Sequence, residues 1–471
     1  MSPRVLVVGG GISGLVAALR LAEHHEVVLA ESDTRLGGKI ATTQFRGRPL
    51  DLGPDAFITR DDSATALCRE LGLGDELLAP GASGAGVFVR GKLRPLPDGL
   101  VIGIPTDLGA LSRSGLVSPL AAVRARADRF FPARLRLTGG ADPTVASALR
   151  PRLGKGVLSA LVDPLIGGIN ASDVASLSLS AALPQLVPAL DGARSVSRAL
   201  APLRAAAASA NAGPVFYGLA PGLGHLVICV AAAARALGAT LLTATNVEAI
   251  GREGAGWSAQ LAGRTERFDG LLLALPAHAA SSLLAPVAPI LADELGAIPY
   301  AGVATVTLAY PQQAVPDTIG AALGGGRGLV GNGVLIARSR ERIVTAATFT
   351  STKWPRSSVP GEVVVRASVG RHRDERALGL SDDGLLDAVR ADLGTVLGID
   401  AAPLDAVVSR WPASFPQYVA GHLARVERIE AGAAALSHFG ITGAALRGIG
   451  IPACVRNAQR CAAELADTFN R

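Results

Sequence analysis

Apolar and polar positions along the chain alternate between two periods. Arg4 to Val8 is a short β-branched run that stops at glycines, and Ile12 to Ala22 carries apolar residues at helical spacing before Glu26 to Ala30 resumes as a strand. The spacing predicts a β-α-β opening. Ala66, Leu67, Leu71 and Leu73 predict a helix within residues 60–80 that ends at glycine, and Val87 to Pro97 reads as a strand pair with a tight turn at Arg90 and Gly91. From about residue 100 to 210 the chain is rich in Ala, Leu, Arg and Pro, with helical stretches at Pro119 to Phe131, Thr144 to Leu149 and Leu158 to Leu165. This stretch reads as a helical insertion. It closes on an alanine-rich run, Arg204 to Gly213, that fits a helix end or a loop and is taken as a hinge.

Beyond it, Gly222 to Leu237 predicts a helix, and Thr240 to Ile250, Trp257 to Leu261 and Thr265 to Leu275 predict strands. Val303 to Tyr310, Gly333 to Ile336, Arg342 to Phe349 and Val363 to Val369 have the pattern of an antiparallel sheet. A helix at Ser381 to Val396, strands at Ala406 to Trp411 and Gly440 to Gly443, and a helix from Pro452 to Thr468 complete the chain. No internal repeat is present.

Gly9, Gly11 and Gly14 form GxGxxG between the first strand and first helix, in the run Gly9-Gly10-Gly11-Ile12-Ser13-Gly14. The first glycine permits the turn, the second lets backbone approach a pyrophosphate, and the third lets helix pack on strand. With 56 glycines in the chain, the triplet alone is weak. Its context strengthens it, because Glu31 ends the second strand where a carboxylate accepts both ribose hydroxyls and disfavours a 2′-phosphate. Two further glycine turns, Arg35-Leu36-Gly37-Gly38-Lys39 and Asp51-Leu52-Gly53-Pro54-Asp55, separate FAD from NAD, since bare backbone there accommodates a long dinucleotide.

The 471 residues, 49% hydrophobic and 18% charged, are enough for two or three domains. A net charge of +6, nearly all from arginine, without Arg/Lys runs interleaved with aromatics, argues against nucleic acid and suits an anionic small molecule. Cys68, Cys229, Cys454 and Cys461 have no metal-ligand spacing, so reduced thiols, a cytoplasmic location and no metal are expected. No apolar stretch is long enough to span a membrane, and peripheral membrane contact stays open. Neither a catalytic base nor an oligomeric state can be read from the residues. The histidines are scattered away from ligand spacing, and His422 is the one worth testing.

The glycine segments, with Gly53-Pro54-Asp55-Ala56-Phe57, Gly103-Ile104-Pro105-Thr106, Asp163-Pro164-Leu165-Ile166-Gly167-Gly168-Ile169, Phe216-Tyr217-Gly218-Leu219, Pro221-Gly222-Leu223, Arg410-Trp411, Pro416-Gln417-Tyr418, Gly421-His422 and Gly448-Ile449-Gly450-Ile451-Pro452, give the chain a strong likeness. It resembles the protoporphyrinogen and coproporphyrinogen oxidases of the flavin amine oxidase superfamily along essentially its whole length.

The resemblance implies an α/β fold in which a Rossmann-like FAD-binding domain is assembled from residues 1–80, 214–285 and 406–471. Residues 81–213 would be a substrate-binding helical insertion, and 286–405 a mixed antiparallel-sheet substrate domain. It implies FAD contacts from Gly9 to Gly14, Glu31, Ser32, Gly37, Gly38, Lys39, Gly53, Pro54, Asp55, Ala56, the main chain of Val247, Trp411 beside the flavin, and Gly448, Ile449, Gly450 and Ile451. The implied reaction is oxidation of a porphyrinogen, with dioxygen as acceptor and hydrogen peroxide as product, and several segments look most like the bacterial branch acting on coproporphyrinogen III. Protoporphyrinogen IX oxidation is the alternative, and another amine oxidase-type reaction the second. Arg60, Arg90, Lys92 and Arg94 are candidates for the substrate propionates. Asp61-Asp62 and Ser368 depart from the pattern of some bacterial relatives in the segments that would line the substrate pocket.

Overall fold

The computed structural model describes residues 2–130, 133–137, 142–209 and 213–470, which form two compact units. The first comprises residues 1–79, 214–299 and 422–471, the second 80–213 and 300–421.

The first unit is built on a five-stranded parallel sheet in the order Thr240–Leu242, Glu26–Ala30, Arg4–Val8, Gly270–Leu273, Phe439–Ile441. Arg4 pairs with Glu26, Val5 with Gly270 and Leu271 with Phe439, so all three chain segments contribute a strand. The near-continuous apolar runs of its central strands follow from burial on both faces. The helices Ile12–Leu21, Gly224–Ala236 and Ile451–Thr468 share one core with this sheet, in which Leu15, Val16, Leu226, Val230, Val455 and Leu465 are buried. Cys68, Cys454 and Cys461 are buried free thiols, and burial pushes Cys68 and Cys461 up to about 12.

The second unit holds a seven-stranded mixed sheet in the order Asp405–Pro416, Tyr300–Pro311, Glu362–Val369, Val344–Phe349, Gly333–Ile336, Gly86–Val89, Lys92–Pro95. Its pairs are antiparallel except Gly333–Ile336 with Gly86–Val89. Leu385, Val389, Leu393 and Val396 of the helix Asp382–Leu397 belong to the core under it. The hairpin turn sits at Arg90 and Gly91, both at positive φ (55° and 73°), as its right-handed strand twist demands.

Several elements depart from the sequence reading for visible reasons. Thr240 to Ile250 is two strands in different sheets, Thr240–Leu242 and Val247–Glu253, divided by a turn with Ala244 at φ 48°. Thr265 to Leu275 is likewise Arg264–Phe268 and Gly270–Leu273. The stretches around Thr144 to Leu149 and Leu158 to Leu165 run on as the helix Val145–Val157 and a π-helical segment, Leu158–Gly167. Phe131 and residues 210–212 of the hinge lie outside the described residues, and the helix before them runs Val196–Ser209.

The unit boundaries fall elsewhere than the expected 80/81, 285/286 and 405/406. Helices Ala277–Leu284 and Pro289–Gly296 pack together in the first unit, and Asp405–Pro416 pairs with Tyr300–Pro311 in the second.

Candidate functional site

The GxGxxG turn joins the first strand to the first helix in the first unit. Gly9 has φ 105°, and a β-carbon there would lie 2.7 Å from the Ala274 carbonyl oxygen. At Gly14 it would lie 1.8 Å from the Gly9 carbonyl oxygen, so this glycine sets how closely helix and strand approach. Gly11 is different: a β-carbon would meet nothing within 4 Å. Gly11 also caps the helix Ile12–Leu21, whose N-terminus has no side-chain cap and no carboxylate in its first turn. Open space before unpaired helix N–H groups is what a phosphate requires.

The second glycine turn folds onto the first. The Gly37 N–H donates to the Gly10 carbonyl at 2.7 Å, and a β-carbon on Gly38 (φ 54°) would lie 3.3 Å from the Gly11 α-carbon. Arg35, the first residue of this motif, pins the turn by donating to the Gly38 carbonyl at 2.6 Å and the Ile40 carbonyl at 3.3 Å. One oxygen of Glu31 accepts the Gly10 N–H at 2.6 Å, and the other accepts the Asp33 N–H at 2.8 Å and the Ser32 hydroxyl at 3.3 Å. The carboxylate thereby ties the strand end to the glycine turn, and each oxygen keeps lone pairs for a ribose.

Lys39 follows directly. Its ammonium is half-buried with no carboxylate at ion-pair distance among the described residues, and desolvation pulls its pKa below the ordinary lysine value, opposed by the Cys454 sulfur. His278 is exposed, and partial desolvation together with the nearby Lys39 charge lowers its pKa from the ordinary imidazole value. Cys454 in turn exchanges a hydrogen bond with buried Ser13. Ser13 and Cys454 lie in the opening turns of the first and last helices, so these two N-termini sit side by side with Lys39 beside them. The last helix begins after Gly448 (φ 126°) and Gly450, with Ile451 and Pro452 as its first residues and no side-chain cap. His422 is buried and its Nε2 lies 2.9 Å from the Leu446 carbonyl, bracing the loop that carries Gly448.

Residues 242–245 lie along Glu31 to Asp33: the Glu31 N–H donates to the Leu242 carbonyl and the Thr245 N–H to the Glu31 carbonyl, at 2.9 and 2.8 Å. Val247, two residues on, is buried at the strand start. Gly53, Pro54, Asp55 and Ala56 are half-buried in the first unit, after the strand Arg48–Asp51. Asp51 accepts the Thr42 hydroxyl at 2.5 Å and the Leu223 N–H at 2.8 Å, a link the sequence pattern did not signal.

Trp411 belongs to the second unit, where it pairs with Val303 and is half-buried. The four basic candidates are divided as well: Arg60 is in the first unit, and Arg90, Lys92 and Arg94 are on the hairpin of the second, with Arg94 against Gly115. Asp61 is accounted for structurally, because it accepts from Ser63 at the start of the helix Ser63–Glu70 and pairs with Arg456. Ser368 pairs with Thr305 and Ala346, and its carbonyl accepts the Thr345 hydroxyl at 3.0 Å.

A cradle of bare backbone, two uncapped helix N-termini and an ammonium without a counter-ion fits a dinucleotide diphosphate. The substitution Lys39→Met is expected to loosen FAD about tenfold, the worth of one partly screened charge contact. Wild-type affinity should fall on the alkaline side, earlier than an ordinary lysine would dictate, because deprotonation removes the cation; in Lys39→Met that slope should vanish. Flavin fluorescence titrations across pH read both effects.

The family model for flavin containing amine oxidoreductases matches residues 12–466. A coproporphyrinogen III oxidase of Mycobacterium bovis is 35% identical, covering 100% of this chain and 99% of the relative. A coproporphyrinogen III oxidase of Bacillus subtilis is 32% identical, covering 96% and 95%. Among solved structures, a candidate protoporphyrinogen oxidase from Exiguobacterium sp. 255-15 superposes with a TM-score of 0.87 at 29% identity, covering 100% of both chains.

Proposed function

The chain belongs to the flavin containing amine oxidoreductase family, and from that premise we propose that it is the cytoplasmic FAD-dependent oxidase that converts coproporphyrinogen III to coproporphyrin III in haem biosynthesis, with dioxygen as acceptor and hydrogen peroxide as product. The full-length likeness to chains named coproporphyrinogen III oxidase carries this reading. The structural likeness to a candidate protoporphyrinogen oxidase supports protoporphyrinogen IX as the second reading.

In this proposal the run Gly9 to Gly14, with Gly37 and Gly38 laid over it, holds the pyrophosphate against helix N–H groups, and Lys39 neutralises part of its charge. Glu31 and Ser32 hold the ribose, the main chain at Val247 meets the adenine, and Gly53 to Ala56 line the dinucleotide. Trp411 walls the flavin, and the N-terminus of the last helix, from Gly448 to Ile451, favours negative charge at the pyrimidine edge. Bound FAD supplies a two-electron acceptor, which dioxygen regenerates in each of the rounds that remove six electrons in all.

Loss of hydride from a meso carbon leaves a cation stabilised by its pyrroles, so a strong base is not required. The protein's work is positioning. Arg60, Arg90, Lys92 and Arg94 remain the proposed contacts for the four propionates of the substrate.

The purified yellow protein, given coproporphyrinogen III and protoporphyrinogen IX in parallel under air, is expected to yield coproporphyrin fluorescence faster, with peroxide release. Faster protoporphyrin formation would install the second reading, and no porphyrin from either substrate would sink both.

A further inference from the structure

Three successive carbonyls ahead of the last helix are each held by a buried side chain. The Leu446 carbonyl lies 2.9 Å from His422 Nε2, the Arg447 carbonyl accepts from the Asn457 amide at 3.3 Å, and the Gly448 carbonyl accepts from the Cys454 thiol at 3.9 Å. A carbonyl oxygen only accepts, so His422 carries a proton on Nε2. The three side chains are 2%, 6% and 5% exposed. They come from two helices, His422 from His422–Ala434 and the other two from Ile451–Thr468.

No described peptide bond is cis, and in a trans peptide the carbonyl of one residue and the N–H of the next point in opposite directions. Fixing the carbonyls of residues 446–448 therefore fixes where the three following N–H groups point, away from the braces. The Ile449 N–H, opposite the Gly448 carbonyl, has no hydrogen-bond partner among the described residues. The ribbon passes from buried Leu446 through half-buried Ile449 to exposed Gly450, where the uncapped helix begins.

The rest of the loop is equally fixed. The Arg447 guanidinium makes two hydrogen bonds to Glu430, at 2.7 and 2.5 Å, and a β-carbon on Gly448 would lie 2.5 Å from that of Ala453. The Cys454 sulfur also meets Ser13, so the brace reaches the first helix. Loop carbonyls ordinarily turn to water, and three buried polar side chains committed to one ribbon serve its orientation.

We propose that His422, Asn457 and Cys454 are positioning residues that hold the Ile449 N–H and the start of the last helix toward the pyrimidine edge of the flavin, and thereby raise its reduction potential. The inference rests on the FAD reading above, in which Gly448 to Ile451 meet that edge. Reduction adds negative charge there, so donors fixed toward it hold the reduced cofactor more tightly than the oxidised one. Donors already in place need no rearrangement as that charge develops. His422 makes the shortest of the three contacts and carries the largest share.

The test is the midpoint potential of the FAD-loaded protein, measured by equilibration with reference dyes, beside equilibrium dialysis of the apoprotein against oxidised FAD. His422→Leu is expected to keep its FAD while its preference for the reduced cofactor falls about tenfold, a midpoint about 30 mV more negative for a two-electron couple. His422→Gln, whose amide nitrogen takes the place of Nε2, should restore most of the potential, and Asn457→Leu should shift it the same way by less. A flavin-loaded His422→Leu at the wild-type potential, or a His422→Gln no better than His422→Leu, overturns the proposal and leaves the FAD site standing. Equal weakening of both redox forms gives that same unchanged potential and would reduce the three residues to a structural brace. Where His422→Leu fails to fold or to hold FAD, Asn457→Leu decides in its place, and a wild-type potential there overturns the proposal. Wild-type protein that binds no FAD at all removes the FAD reading and this inference together.

Discussion

Gly11→Val is expected to yield a folded protein that purifies without flavin. Nothing lies within 4 Å of where the new β-carbon would stand, and the Gly11 backbone, at φ −68° and ψ 176°, is one that valine adopts readily. The substitution therefore places its methyls in the space before the helix N-terminus, where the pyrophosphate is proposed to lie. Weakening of FAD by about a hundredfold, near 2.8 kcal/mol, is the expected size. Gly14→Val is no substitute, because its β-carbon would stand 1.8 Å from the Gly9 carbonyl oxygen and the helix would have to leave the strand. Loss of flavin in Gly14→Val would report a broken fold, whereas in Gly11→Val, with an unchanged circular dichroism spectrum, it reports the cofactor site. Equilibrium dialysis of the refolded apoprotein against FAD measures the difference, and wild-type affinity in Gly11→Val would remove the phosphate from this turn.

The contrast between these two glycines marks how far the sequence could be read. Spacing and context located the turn, the acidic strand end and the second glycine pair, since each is local chemistry on consecutive residues. What the pattern could not supply was long-range pairing. That Ser13 meets Cys454 across most of the chain's length, or that Asp51 accepts the Leu223 N–H, depends on tertiary packing. Strand lengths failed where a turn carried no Gly or Pro at its centre: Ala244 takes a left-handed conformation inside a run that otherwise reads as one strand. The strand Asp405–Pro416 was assigned with the tail because it is near it in sequence, although its pairing is with Tyr300–Pro311. Trp411 consequently belongs to the second unit, and its place beside the flavin rests on the resemblance.

Arg371→Met is expected to destabilise the second unit by roughly 3–5 kcal/mol, the cost of stranding a buried charge. Arg371 is 3% exposed and donates to Asp163 at 3.1 Å, with burial lowering its pKa and the carboxylate raising it again. Asp163 sits inside the π-helical segment Leu158–Gly167, where its second oxygen has no hydrogen-bond partner among the described residues and a β-carbon on Gly167 would lie 2.9 Å from it. The carboxylate therefore depends on one guanidinium for compensation. Removing that partner strands a buried charge, a loss of roughly 3–5 kcal/mol. Removing both, in Asp163→Leu with Arg371→Met, should recover most of it, because an apolar pair of similar volume carries no desolvation cost. Urea unfolding of the two single variants and the double variant closes the cycle, and additive losses would show that the two residues stabilise the unit independently. A coupling of the expected size would identify the pair as the clamp that holds the π-helical segment against the loop after Val369.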